Sequence, residues 1–447
     1  MAAKPALSGL ANSPPKQIKQ TPTKPSWYKK RHYLHFDSPI GFRKTQAIVT
    51  SPPQVAKHAF YPFISLTITS KSVKKDAAQK LVANIKARPV AYASHLDSHI
   101  YSYYAEQLQK RYEAYLLHQN LSNSVLAFRS LGKCNINFAK EAFDNIRGQQ
   151  NCVAIALDIT GFFDHLDHAY LKQQWCSLLN LKQLPNDHYN VFKSLTKHSS
   201  VNRDALYAKF GISLNNPRAP NQQHFRICTA QQFRESVRAA GLVATNKNNY
   251  GIPQGSPISA LLSNIYMMEF DAAMHAYVVQ KGGSYRRYCD DILLVLPPGE
   301  ELNAITKVEE LFDVTKLKLN ASKTCIRTFS TTNEGQKADK PLQYLGFTFD
   351  GQQILIRSAA FARYSNRMNR AVRLAKKTQA SANRQRAAKG LPDQPLYKQK
   401  LYSKYTYLGK RNFITYGLRA AEIMESDAIR RQLRPWWGRL QEKMSKT

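Results

Sequence analysis

The run Tyr285-Arg-Arg-Tyr-Cys-Asp-Asp-Ile-Leu-Leu-Val-Leu296 sets two adjacent carboxylates, Asp290 and Asp291, between an aromatic stretch and an aliphatic one. Like charges this close repel, so keeping both ionised is costly. A divalent cation relieves that cost, which makes Tyr288-Cys289-Asp290-Asp291 a candidate Mg²⁺ site on a strand hairpin. An acidic turn between two ordinary strands is the plain alternative. The quartet alone does not choose between them.

A third acid bears on the choice. Asn151-Cys-Val-Ala-Ile-Ala-Leu-Asp158 is a short apolar run closed by an acid, and it reads as a buried strand with Asp158 at its exit. Magnesium takes one or two protein carboxylates together with waters and substrate phosphates. Asp158, Asp290 and Asp291 supply such a site if the two strands are neighbours. Two ions roughly 3.5–4 Å apart stabilise both the attacking and the leaving oxygens of an in-line phosphoryl displacement.

With these residues in view the chain resembles the reverse transcriptases, through five blocks in family order. Asp158 with Phe162, Phe163 and Asp164 is similar to the first palm motif, and Gly251-Ile-Pro-Gln-Gly-Ser-Pro-Ile-Ser259 to the second. Tyr288-Cys289-Asp290-Asp291 is similar to the third, Leu317-Lys-Leu-Asn-Ala-Ser-Lys323-Thr to the fourth and Leu342-Gln-Tyr-Leu-Gly-Phe347 to the fifth. The resemblance implies an α+β right-hand polymerase fold, with fingers, a palm built on an antiparallel sheet, and a helical thumb. It implies two Mg²⁺ ions on Asp158, Asp290 and Asp291, and gives Lys323 the role of proton donor to the leaving pyrophosphate. Phe163 falls at the sugar-reading gate, where a rigid ring leaves no space for a 2′-hydroxyl. Gln254 and Gly255 fall where template strand and nascent base pair are contacted, and glycine there lets backbone approach a nucleotide without a Cβ. Arg129 and Lys133, in Val125-Leu-Ala-Phe-Arg-Ser-Leu-Gly-Lys133, fall where the fingers grip the triphosphate. Arg286, Arg287, Arg363, Arg367, Arg370 and Arg373 are candidate contacts to nucleic-acid backbone.

Composition agrees. Formal net charge is +35 over 447 residues, and residues 357–447 hold 22 Lys/Arg against 5 Asp/Glu. So basic a chain implies a polyanionic partner, with affinity falling as salt rises. No apolar stretch approaches the ~18–20 residues that span a bilayer, and no secretory signal is visible. The six cysteines include no C-x-x-C pair, which speaks against a zinc ribbon or a disulfide framework and for reduced thiols in a cytoplasmic protein. The twelve histidines show no ligand spacing.

Along the chain, residues 1–25, with five prolines, are expected to be a disordered basic arm. Residues 26–150 are expected to form the fingers, including an amphipathic helix over 99–117. Residues 151–355 form the palm, with a loop-rich insertion at 209–249, and residues 356–447 a thumb of three helices over 361–388, 397–424 and 426–443. No endonuclease-like Cys/His module or RNase H carboxylate set is seen. The segments around Phe128-Arg129, 133–143 and 420–429 resemble the bacterial defence-associated reverse transcriptases, some of which copy a structured noncoding RNA repeatedly into cDNA during phage infection. This implies dNTPs as substrates, RNA as template and cDNA as product, with no membrane partner. A retron-like or mobile-element enzyme, a template-independent protein-primed polymerase, and an inactive RNA-binding scaffold are the competing readings.

Overall fold

The computed structural model describes residues 24–75, 80–219 and 225–446; the expected basic arm, apart from its last two residues, lies outside them. Two aliphatic runs pair at the centre. Strand β3 (Cys152–Asp158) lies antiparallel to β7 (Asp291–Leu296), and β6 (Ser284–Tyr288) and β8 (Cys325–Thr332) flank them, with β9 (Gly335–Ala338) at the edge. Side chains alternate across a strand, so Val153, Ile155, Leu157, Ile292, Leu294 and Leu296 enter one apolar cluster. Cys152, Ala154, Leu293 and Val295 enter the other. Both faces are therefore covered, which is why these strands read as unbroken apolar runs rather than alternating ones.

One cluster is completed by the helices His95–His118, Ser259–Tyr266, Met268–Gln280 and Glu301–Thr315. The other is completed by the helix Asn135–Gly148, the small sheet of β10 (Leu342–Tyr344), β11 (Phe347–Phe349) and β12 (Ile354–Ile356), and the C-terminal helices. The architecture is α+β, as expected. No helix among the described residues is long and apolar enough to cross a membrane.

A long hairpin, β1 (Phe63–Lys75) with β2 (Leu81–Tyr92), rises from the N-terminal part. Strand β1 pairs parallel with β4 (Ser199–Asn202), and β4 with β5 (Val243–Thr245), so two segments distant in sequence share one sheet. The insertion expected as loops is thus partly ordered. Its Ile227, Cys228, Phe233 and Val237 are buried with Phe36, Ile64 and Val201 in a third cluster. Their apolar spacing is too sparse to signal an element without those distant partners.

The C-terminal part holds five described helices rather than three: Ser358–Ala387, Gln399–Tyr405, Phe413–Ile423, Asp427–Leu433 and Trp436–Ser445. Local chemistry makes the breaks. Asn412 caps Phe413–Ile423 in a reciprocal box with Thr415, Ser426 caps the next helix, and Pro435 separates the last two.

A buried histidine sits beneath the hairpin's base. His35 is fully enclosed, its Nδ1 accepts the Phe36 N–H at 2.9 Å, and its Nε2 lies 3.3 Å from the Tyr92 carbonyl. A proton on Nδ1 would face a backbone donor. Burial pushes this imidazole down to about 3, with Asp37 pulling the other way. The folded state then binds fewer protons than the unfolded chain between pH 3 and 6.5, so stability is full above about 6.5 and falls as pH drops. Denaturant melts should show a loss on the order of 2–3 kcal/mol between pH 7 and 4.5. A His35→Gln variant should flatten that limb; an unchanged limb would assign it to other groups.

Candidate active site

The three acids meet at one end of the central sheet. In the β3–β7 register Asp158 is the Cα partner of Asp291, and the Ile159 N–H donates to the Asp290 carbonyl at 3.3 Å. Asp290 sits in the two-residue turn joining β6 and β7, where Cys289 takes a left-handed φ of +61°. A side chain there is strained, so the turn needs support.

Support comes from Arg287, whose side chain is 0% exposed. Its guanidinium grips both oxygens of buried Asp271, at 2.7 and 2.6 Å, and also donates to Asn264 Oδ1 and to the Cys289 carbonyl at 3.1 Å. Burial alone would depress its pKa, but Asp271 more than offsets that, and the group stays charged. The sequence-based expectation that Arg287 contacts nucleic acid is therefore corrected. It is a strut that ties the acidic turn to the Met268–Gln280 helix.

Asp291 is exposed, yet it lines a cavity of about 380 Å³ with Tyr288, Gln343, Tyr344, Gly346 and Arg357. Burial in that concave wall, then Asp290, then Asp158, push its carboxyl up to about 6; Lys323 and Arg357 pull it back. Lys323 reaches the site because residues 318–320 run beside the exit of β3. Thr160 donates to the Lys318 carbonyl, and the Asn320 N–H donates to the Asp158 carbonyl. The Lys323 ammonium donates to both Asp158 oxygens at 2.7 and 2.6 Å, and Asn320 Nδ2 adds a third bond at 3.2 Å.

Among the described residues no group of three or more His, Cys, Asp or Glu side chains forms a ready-made metal cluster. The donor chemistry nonetheless suits Mg²⁺, which needs only one or two carboxylates beside phosphates and water. The Asp291 carboxyl is raised first by burial and then by the neighbouring Asp290 and Asp158, and Lys323 already supplies one positive charge to Asp158.

The Gly251–Ser259 loop is fastened beside the acids. Gly251 donates to the Leu166 carbonyl, Ile252 donates to the Phe163 carbonyl at 3.0 Å, and the Gln254 carbonyl accepts from Ala91 at 2.7 Å. Gly255 has φ +113°, and a Cβ there would lie 2.5 Å from the Ala91 carbonyl oxygen, so glycine is required. Phe162 is core, whereas Phe163 is half-buried and packs against the same cluster.

Other expectations fare differently. Arg129 was expected at the triphosphate, but its side chain is 3% exposed and its donors go to Glu113 and to the Ser122 and Val125 carbonyls. So enclosed and so engaged, the residue serves as a buried brace. Arg286 is half-buried, and its Nη1 donates to Asn145 and Ser284. Lys133 is half-exposed and paired with Glu141 at 2.6 Å. Arg363, Arg367, Arg370 and Arg373 are exposed on the Ser358–Ala387 helix, opposite buried Tyr364, Met368 and Val372. Two residues at the acids, Asn320 and Arg357, were not anticipated. Asn320 lies in the 317–323 block but was given no role, and Arg357 stands in no pattern; the folded chain brings both to the acids.

Residues 217–349 match the family model described as reverse transcriptase (RNA-dependent DNA polymerase). A segment of under a third of the chain is thus similar to the reverse transcriptase family. The match takes in the 251–259 loop, the acidic hairpin, Lys323 and residues 342–347; Asp158 lies upstream of it. Among solved structures, the chain is similar to apo telomerase from Candida Tropicalis, with TM-score 0.42 and 10% identity over 68% of this chain and 51% of that one. It is also similar to the RNA-dependent RNA polymerase of a human picorbirnavirus, with TM-score 0.42 and 10% identity over 92% of this chain and 64% of that one. Telomerase from Candida albicans, in complex with a fragment of telomeric RNA, gives TM-score 0.38 and 10% identity over 90% and 58%. The chain thus spans between half and two thirds of these proteins' lengths. Comparison with curated protein sequences gives no match.

The Arg287 strut yields a direct expectation. Arg287→Ala strands Asp271 as a buried, unpaired carboxylate, so unfolding free energy should drop by about 3–5 kcal/mol in urea melts. Pairing it with Asp271→Leu should recover part of the loss. A neutral single variant would refute the strut.

Proposed function

We propose that this protein is an RNA-directed DNA polymerase that builds cDNA from dNTPs by two-metal phosphoryl transfer. The observation that carries this reading is the β3–β7 pairing, which sets Asp158 opposite Asp291 and beside the Asp290 turn. Asp158, Asp290 and Asp291 would hold the two Mg²⁺ ions, which when bound supply Lewis-acid stabilisation to attacking and leaving oxygens. Lys323, ion-paired with Asp158, stands at the acids and would serve as proton donor to the leaving pyrophosphate. Half-buried Phe163, bonded through its carbonyl to the loop of Gln254 and Gly255, would stand as the sugar gate beside the nascent pair.

We assign residues 26–150 to fingers, 151–355 to palm and 356–447 to thumb. In this arrangement the exposed arginines of the Ser358–Ala387 helix track a nucleic-acid backbone. The resemblance of the segments at 128–143 and 420–429 to the defence-associated enzymes supports a finer reading. On it, a structured noncoding RNA is copied in repeated rounds, in the cytoplasm, as part of a response to phage.

Replacing Asp290 and Asp291 together by Ala should reduce dNTP incorporation on a primed RNA to background while RNA affinity, read by filter binding, is retained. Residual extension by that double variant would overturn the metal assignment. Phe163→Ala should raise ribonucleotide incorporation relative to deoxyribonucleotide by about 10- to 100-fold. Unchanged sugar selectivity would move the gate elsewhere.

A further inference from the structure

Away from the acid-bearing sheet, the C-terminal helices enclose a cavity of about 660 Å³. Its walls come from the turn after the Gln399–Tyr405 helix and from the three helices that follow. Aromatic rings are part of the lining. Trp437 stacks on Tyr402 with centroids 5.5 Å apart and planes 23° from parallel, and Tyr407 lies against Trp437 at 5.4 Å. Tyr407 is 56% exposed and Trp437 37%, so the ladder of rings ends at solvent.

Cations line the cavity as well. Arg430, Arg431 and Arg434 share the cavity with a single carboxylate, Asp427, which pairs with Arg430 at 3.4 Å. Arg431 and Arg434 have no carboxylate partner among the described residues. The cavity also adjoins the arginine-bearing helix, because Tyr405 lines it and donates its hydroxyl to the Arg367 carbonyl at 3.1 Å.

Exposed rings and uncompensated guanidinium groups are the two parts of single-strand recognition: a ring takes the face of a base, and the cations take phosphates. A duplex offers no free base face along its length, so the rings select an unpaired one. A protein partner would have to bring acids for the arginines, and the chain's charge of +35 favours a polyanion instead. We infer that this cavity binds an unpaired segment of RNA, with a base stacked on Tyr407 and phosphates held by Arg431 and Arg434. The inference rests on the polymerase reading only in naming RNA as the strand.

The test uses the full chain and a fluorescent oligouridylate, read by anisotropy, with extension of a short preformed primer–template duplex measured in parallel. Tyr407→Ala should weaken oligouridylate binding about ten-fold, while Tyr407→Phe, which keeps the ring, should bind as the parent does. Arg431→Ala with Arg434→Ala should lower the slope of log affinity against log salt by roughly 1.4. Duplex extension should be unchanged in all three. Unaltered binding by Tyr407→Ala, equal competition by duplex RNA, a preference for the thymidylate oligomer, or a salt-independent protein complex covering the cavity would each overturn the inference. If the parent chain fails to incorporate dNTPs while ring-dependent binding persists, the polymerase reading falls and the site stands. Normal extension with ring-independent binding gives the converse.

Discussion

One register governs this molecule. The pairing of β3 with β7 sets Asp158 across from Asp291, and every other feature of the acidic site is arranged around it. The pairing is protected by burial on both faces: a slip of one residue would exchange the two apolar sets between clusters of different shape. Hydrophobic packing, which is not directional, thereby fixes the position of charged groups, which is. Three like charges at a sheet's end would not assemble on their own account.

The repulsion gathered there is offset in two ways. Lys323 pairs with Asp158 through a segment hydrogen-bonded to the strand exit, and Arg357 approaches Asp291 from beyond the small sheet. Meanwhile Arg287 and Asp271 hold the strained Cys289 turn from beneath. A buried ion pair is an expensive way to gain stability. Here it supplies geometry, because a planar guanidinium with several fixed donors can brace a helix, a carboxamide and a turn carbonyl at once. The Gly251–Ser259 loop, bonded on one side to residues 163–166 and on the other to Ala91, then links the acids to the base of the long hairpin.

Much of this was legible in the chain. Asp158, Asp290 and Asp291 stand at the ends of apolar runs, so strands and acids could be read together. A need for glycine at 255 was legible, though the close approach seen is to the Ala91 carbonyl rather than to a nucleotide, and Phe162 was legible as the more buried of two neighbouring rings. The arginines gave the opposite lesson. Arg129, Arg286 and Arg287 look like surface cations in a basic protein, yet the first and last are buried on internal partners and Arg286 is held by one of its nitrogens. Glu113 is the partner of Arg129, Asp271 that of Arg287, and Asn145 that of Arg286. Those partners lie 16 to 141 residues away, beyond the reach of any local pattern.

Local chemistry thus decided what is local: strand runs, helix caps, the glycine loop and the excess of cations. Which acids would meet, which arginines would face inward, and how the C-terminal helices would break to leave a ring-lined cavity were settled by tertiary packing. The reason is physical. Periodicity and propensity act over a few residues, whereas burial of a charge depends on whether an opposite charge arrives beside it, and only the assembled fold determines that.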